Sequence, residues 1–352
     1  MKLRWLLLSL ISMLALSSSA KAARLELQKF NPTYNQVDST SNFKLRLAQL
    51  DNQGAAQEIY VPKLKRPDIF INTNDSSLFA GVVPLGKEIP ELQSQVKALM
   101  ARYSFLKPGM FFLDLETGNY LNINGEKVFP AASTIKYPIL VALFEEVDAG
   151  RIKLDEKLVM RRGLIASGSG DLQYKSPGIK LSVLATINKM ITISDNTATN
   201  MIIDRLGGKA KLNQRFHSWG LQSTVIRNML GDFKGTNTTS AADLVRLSAL
   251  VDQHKLISDR SQSQVLDILR HCRNKKLLAA GVGKGGTIAH KTGDIGFLVG
   301  DAGIIEMPNG KHYLAGIFVR RPHDDERGRE FVRQVSRLVY NYMNQPRISQ
   351  KY

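Results

Sequence analysis

The sequence predicts an α+β fold: one antiparallel sheet flanked by helices, plus an all-helical lobe. Three observations predict it. Strand-like runs stand near both ends of residues 88–345, at 110–123 and 287–319. Between them, apolar residues recur at helical spacing over a long block. The pattern closes on an amphipathic helix at 325–343. Strands contributed from both ends of one domain meet in a single sheet, and the helical block between them forms the second lobe. A pocket is expected between two such lobes.

In chain order, Pro90 to Tyr103 has helical spacing through Leu92, Val96, Leu99 and Met100, with Pro at a tolerated early position. Met110 to Asp114 and Tyr120 to Ile123 flank Glu116-Thr117-Gly118-Asn119 as a hairpin. Thr134 to Val147 is a strongly apolar helix that Gly150 ends. Ser182 to Ile193 and Thr197 to Leu206 are helices, the second stopped by Gly207-Gly208. Ser240 is suited to cap Ala241 to Gln253, and Ser258 to Arg270 is helical. Thr287 to His290, Gly300 to Glu306 and His312 to Val319 are strands, the last two joined by a turn at Pro308-Asn309-Gly310. Asp325 to Met343 closes the domain.

Residues 23–84 differ from the rest. Short alternating runs (Leu25 to Leu27, Phe43 to Leu47, Ile59 to Val61, Ile69 to Ile71) are separated by polar residues and Gly, which predicts a small β-rich or extended segment without an assignable role. Residues 1–22 read as a signal peptide: Lys2 and Arg4, then an apolar run from Trp5 to Leu16, then Ala20-Lys21-Ala22 as an A-x-A-like cleavage signal. The apolar run is short for a bilayer span, and no later stretch suggests one. With no Cys after that run, a lipoprotein is excluded. The expected organisation is therefore 1–22, 23–84 and a catalytic domain at 85–345, exported from a bacterium to a periplasm or beyond.

The chain of 352 residues carries 48 Lys and Arg against 31 Asp and Glu, a net charge of +17. Without residues 1–22 it is +14, because Lys2, Arg4 and Lys21 go and no acid does. For an exported protein the natural counter-surface is an anionic cell envelope. The basic residues are scattered and no nucleic-acid motif is present, which argues against a nucleic-acid partner. Cys272 is the only cysteine, so no internal disulfide forms, and an inert thiol is expected. The six His show no metal-ligand spacing, so neither metal nor cofactor is expected, and His290 beside Lys291 reads first as a buried structural residue. A monomer is the expected state.

Three short motifs carry chemistry. In Ser133-Thr134-Ile135-Lys136, Ser133 stands at a helix start and Lys136 returns to the same face one turn on. That spacing lets an amine approach a hydroxyl and take its proton. Alone it is weak: Ser18 to Lys21 and Ser41 to Lys44 match it too, and Ser133 could be a plain cap. Ser194-Asp195-Asn196 falls between two helices, where such residues also make ordinary turns. Lys291-Thr292-Gly293 follows a strand start and can line a cleft with a cation, a hydroxyl and accessible backbone.

Together the three are specific. They occur in the order S-x-x-K, S-D-N, K-T-G, with 61 residues from Ser133 to Ser194 and 97 from Ser194 to Lys291. On these motifs residues 88–345 resemble the class A β-lactamase and penicillin-binding serine hydrolases. Phe129-Pro130-Ala131-Ala132, Thr197-Ala198-Thr199-Asn200 and Asn237-Thr238-Thr239-Ser240 are similar to the family as well. The resemblance implies a β-lactamase/DD-peptidase-like fold and hydrolysis through an acyl-enzyme on Ser133. It implies that Lys136 helps activate Ser133, Ser194 relays a proton and Asn196 positions the substrate amide. Lys291, Thr292 and Gly293 would hold the substrate carboxylate, with the backbone N–H groups of Ser133 and Asp294 as oxyanion hole. The implied substrate is a β-lactam or a D-alanyl peptide.

The sequence departs from the family in the loop 226–237. Class A enzymes carry there a Glu that activates the deacylating water; this loop is shorter and has none. Asp232 is its only carboxylate, either a substitute base or a turn-capping residue. Arg227 is similar to a structural arginine of the family, with Asn237 where an acid is usual. Pro138 threatens a bend in the nucleophile helix, and Asp294 brings an unexplained charge to the oxyanion hole. Gly168 to Gln173 is expected to edge the cleft. Three outcomes stay open: a β-lactamase, a D-alanyl-D-alanine peptidase or esterase, and a penicillin sensor that stays acylated.

Overall fold

A computed structural model describes residues 48–50, 56–58 and 79–345. The signal-peptide reading of 1–22 and the strand runs expected at 25–27, 43–47, 59–61 and 69–71 lie outside the described residues. In the N-terminal unit, two short strands, β1 (Ala48–Leu50) and β2 (Ala56–Glu58), pair antiparallel. The catalytic unit is described on its own below. Among the described residues no helix is long and apolar enough to cross a membrane.

The sheet forms as the strand pattern predicts. β3 (Lys107–Asp114) and β4 (Tyr120–Ile123) make the first hairpin. β5 (Phe129–Pro130), β6 (Lys157–Val159), β7 (Lys180–Ser182) and β8 (Thr238–Thr239) form two small ribbons, β5 with β8 and β6 with β7. β9 (Thr287–Asp294), β10 (Leu298–Glu306) and β11 (His312–Arg320) complete a five-stranded antiparallel sheet of order β4-β3-β11-β10-β9. β11 pairs with β3, Ala315 opposite Phe112, which joins the two ends of the domain. β9 stands at the edge.

Helices cover both faces. α1 (Pro90–Arg102) buries Leu92, Val96 and Leu99. With the closing helix (Glu326–Met343) it packs an apolar layer on Met110, Phe112, Ile317 and Val319. The opposite layer holds the helical lobe: α2 (Lys136–Asp148), α3 (Val183–Thr192), α4 (Asn196–Arg205), α5 (Lys209–Ser218), α6 (Ala241–Asp252) and α7 (Asp259–Arg270). The closing helix is α8. Ser182, Ser240, Ser258 and Asp325 each cap the helix that follows, the side-chain oxygen accepting a first-turn N–H. At about 25 cal/mol per Å² of buried apolar area, these two layers supply most of the driving force for the fold.

Two expectations need correction. α5 was not expected; its sequence is polar, and only Leu212 and Phe216, four apart, are buried. The helix predicted from Thr134 begins at Lys136, after a 3₁₀ turn over Ala132–Ile135. Ser133 therefore lies in that turn, and no side-chain bond caps it. This also removes the concern over Pro138. It is the third residue of α2, where the backbone N–H has no partner within the helix to lose. Lys291-Thr292-Gly293 ends the strand as expected, within β9, which runs on to Asp294 because β10 pairs with it to Val299.

Candidate active site

The three motifs converge where edge strand β9 meets the helical lobe. A cavity of about 260 Å³ there is lined by Ser133, Ser194, Lys291, Thr292 and Asp294, together with Ser169, Ile191 to Ile193 and Cys272 to Asn274. Gly293 is what lets the strand come so close. A Cβ at this position would stand 2.9 Å from the Ala132 Cβ and 3.0 Å from the Ser133 backbone N.

Lys136 is the centre of the polar network. Its side chain is fully buried, and Nζ lies 3.2 Å from Ser133 Oγ, 3.0 Å from Ser194 Oγ, 2.6 Å from the Ser194 carbonyl and 2.8 Å from Asn196 Oδ1. Four oxygens surround a group with at most three protons. A neutral amine could instead accept the Ser133 proton at one of them. Burial lowers the Lys136 pKa well below the usual lysine range, and the Lys291 charge lowers it further, against an opposing pull from Asp195.

The second motif is held by Asp195. Its Oδ1 accepts the Ala198 N–H at 2.8 Å and caps α4; its Oδ2 accepts the Leu172 N–H at 2.9 Å and fixes the 168–173 loop. Gly170 of that loop has no room for a Cβ, which would fall 2.2 Å from Asp195 Oδ2. Ser194 before it takes φ +58, a strained value for a residue with a Cβ, and so offers both its hydroxyl and its carbonyl to Lys136. Asn196 gives Oδ1 to Lys136 and donates Nδ2 to the Ser167 carbonyl at 2.9 Å. As expected, the Gly168 to Gln173 loop edges the cleft: Ser169 lines the cavity and accepts the Asn196 N–H at 3.0 Å.

On β9, Lys291 is buried and its Nζ donates to the Thr292 carbonyl at 2.7 Å. Burial lowers its pKa, opposed by Cys272 and Asp301. Thr292 Oγ1 lies 3.9 Å from the buried Cys272 Sγ. His290 is fully buried, with Nδ1 2.9 Å and 3.0 Å from the two Asp301 oxygens, while Nε2 has no hydrogen-bond partner among the described residues.

Asp294 now has a physical account. Its Oδ1 accepts Arg321 Nη2 at 2.8 Å, and its Oδ2 accepts Arg329 Nη2 at 2.7 Å. Arg321 is held in turn by the Gly296 and Asp325 carbonyls. Two guanidinium groups thus answer the carboxylate at the cavity mouth. Sequence reading missed both, because they lie on the last strand's exit and on α8.

The loop 226–237 is tied together by Asn237. Its Oδ1 accepts the N–H groups of Arg227 and Asn228 at 2.7 Å and 2.9 Å, and its Nδ2 donates to the Asn228 carbonyl. An amide serves here better than a carboxylate, which could not make the third bond. Asn200 clamps Leu230 in the same way, through its N–H and its carbonyl. Arg227 bonds the Thr236 carbonyl and Thr238 Oγ1. Asp232 accepts the Asn237 N–H at 2.6 Å on Oδ2 and Thr236 Oγ1 at 2.8 Å on Oδ1. It is not among the residues lining the cavity with Ser133. Both its oxygens hold the loop, which is the turn-capping arrangement.

Three kinds of comparison agree with this geometry. Residues 91–343 match the family described as the beta-lactamase enzyme family. The chain is 22% identical over 280 residues to beta-lactamase VEB-1 of Pseudomonas aeruginosa, covering 72% of this chain and 89% of that one. It is 25% identical over 243 residues to extended-spectrum beta-lactamase PER-1 of the same organism, covering 63% and 78%. Among solved structures, one titled as the structure of PBP-A is 54% identical, with a TM-score of 0.72, over 74% of this chain and 98% of that one. A single-residue mutant of PBP-A, titled as an acyl-enzyme complex with penicillin G, is 53% identical at the same TM-score and coverage.

Proposed function

Because the chain belongs to the beta-lactamase enzyme family, we propose a division of labour around an acyl-enzyme on Ser133. The protein is a serine hydrolase resembling class A β-lactamases. Lys136, kept short of protons by burial and by Lys291, takes the Ser133 proton as Oγ attacks the substrate carbonyl. Ser194, within reach of Lys136, passes a proton to the leaving nitrogen. Asn196 orients the substrate amide. Lys291, Thr292 and Gly293 hold the substrate carboxylate. The backbone N–H groups of Ser133 and Asp294 receive the oxyanion, each worth about 3 kcal/mol in the transition state. The observation that carries the reading is the Lys136 amine, with Ser133, Ser194 and Asn196 all within 3.2 Å of its nitrogen.

The fate of the acyl-enzyme follows from the loop. With Asp232 engaged by Thr236 and Asn237, we propose that it positions the loop and is not a substitute base. Asp232→Asn, which keeps an acceptor for the Asn237 N–H, is expected to leave the lifetime of the acyl-enzyme unchanged. Asp232→Ala is expected to lower stability by about 1–2 kcal/mol. Mass-spectrometric decay of the adduct and a thermal melt check the two. A longer-lived adduct in Asp232→Asn would restore the base role.

Two further readings draw support from this loop and from the likeness to PBP-A: a D-alanyl-D-alanine peptidase or esterase, and a slowly deacylating penicillin-binding sensor. Incubating the protein with a β-lactam while following free product and intact mass separates them. Rapid multiple turnover supports the β-lactamase. A persistent adduct on Ser133 supports the sensor, and turnover of a D-alanyl-D-alanine peptide without a lasting β-lactam adduct supports the peptidase. We further propose that the catalytic domain, residues 85–345, is exported past the inner membrane, as the signal-like residues 1–22 suggest, to act in the periplasm or at the cell wall.

A further inference from the structure

Two cavities share helix α1, and neither has an acidic residue in its lining. One, of about 460 Å³, lies between α1 and α8 and is lined by Arg102 and Arg337. The other, of about 370 Å³, lies where α1 meets the start of β3 and the link from β4 to β5, and is lined by Lys97, Lys107 and Lys127. All five residues are exposed. None of the five has an ion-pair partner among the described residues; Lys97 donates to Gln93 Oε1 at 2.9 Å. Arg320 is a sixth cation at this end of the sheet. β11 sets it directly opposite Lys107, and like charges so placed destabilise a strand pair. Arg320 and Lys127 also share one ring, lying 6.0 Å and 5.9 Å from the centre of Phe129. Like charges set side by side, with no acid between them, are arranged for a counter-charge from outside the chain.

We propose that this end of the catalytic unit is an interaction surface for a linear polyanion carrying phosphate groups, the chemistry of an anionic cell-envelope polymer. The proposal is independent of the acyl-enzyme reading. Lysine and arginine both serve as phosphate partners, and cations drawn from α1, α8, β3 and β11 suit a run of charges better than a single one. A bilayer fits less well, because a flat surface does not reach into the two concavities these side chains line. A nucleic-acid strand fits less well too. No aromatic side chain lines either cavity, and single-strand binding relies on such rings to stack the bases.

The probe is inorganic polyphosphate, and its binding to the full chain is followed by titration calorimetry at several salt concentrations. Wild type is expected to bind, with an affinity that falls as salt rises. In the double variant Lys107→Gln, Lys127→Gln, binding near about 0.1 M salt is expected to weaken about tenfold or more, and the salt slope to shrink by about 1.4, the share of two single-strand phosphate contacts. Because Lys107→Gln also relieves the pair with Arg320, a thermal melt of this variant should match or exceed wild type. Lys153→Gln with Lys180→Gln removes the same charge from exposed positions before β6 and on β7, and should change binding far less. Equal losses in the two double variants, or no binding by wild type, overturn the proposal. So does tighter binding to an oligothymidylate of equal charge, or to phosphatidylglycerol vesicles, than to polyphosphate. Acylation of Ser133 by benzylpenicillin should be the same in every variant, which keeps a failure here separate from a failure of the acyl-enzyme reading.

Discussion

Ser133→Ala is expected to abolish every covalent signal with β-lactams. Among the described residues one other hydroxyl reaches the Lys136 amine. Ser194 Oγ is also near Lys136, at 3.0 Å, but it sits on a turn strained to φ +58 and fixed by the Asp195 cap. The Ser133 turn instead has the Gly293 strand pressed against its backbone N, beside the proposed oxyanion donors. The substitution removes one Oγ from a half-buried position, so the fold should be kept. Intact mass after prolonged incubation is the measurement. An adduct on Ser133→Ala, located by peptide mapping to any other residue, would overturn the assignment of the nucleophile.

The second large effect concerns Lys136. Replacing it by Ala is expected to slow acylation by about 10²–10⁴-fold, the range for loss of a positioned general base. The pH profile makes the claim more specific. In wild type, acylation should fall on the acid side as Lys136 becomes protonated. That limb should lie below the ordinary lysine range, because burial and Lys291 both disfavour the cation. Lys291→Met removes the second of these causes, so Lys136 binds its proton more readily and the limb moves to higher pH. The position of the limb separates this effect from weaker substrate binding, which lowers the rate without moving it. A limb that stays in place in Lys291→Met would show that the two amines are not coupled.

Much of this site was legible because its chemistry is local in sequence. Ser133 and Lys136 are three apart, and one turn brings them to 3.2 Å. Ser194 and Asn196 flank one cap residue. The order of the motifs placed them on the right elements, and the antiparallel sheet followed from strand patterns at both ends. What was not legible depends on distant partners. Asp294 looked like an uncompensated charge, because Arg321 and Arg329 are far along the chain. Asp195 read as a turn residue, and its bond to Leu172 shows it joining two segments of the lobe. Helix α5 escaped because two buried residues are too few to set a period. The loop 226–237 could be read for what it lacks, but not for how Asn237 and Asn200 hold it in shape.

The pairing of β3 with β11 has a consequence for how the molecule comes into being. Residues 107–114 must wait for 313–320 before the sheet can close across its middle. Such distant pairing carries a loop-closure cost and slows folding. The helical lobe, whose contacts are nearer in sequence, can condense earlier. The Ser133 turn packs on β9 and β10, so its surroundings are complete only when those strands arrive. A growing chain therefore carries Ser133, the proposed nucleophile, for most of its synthesis without a finished cavity around it.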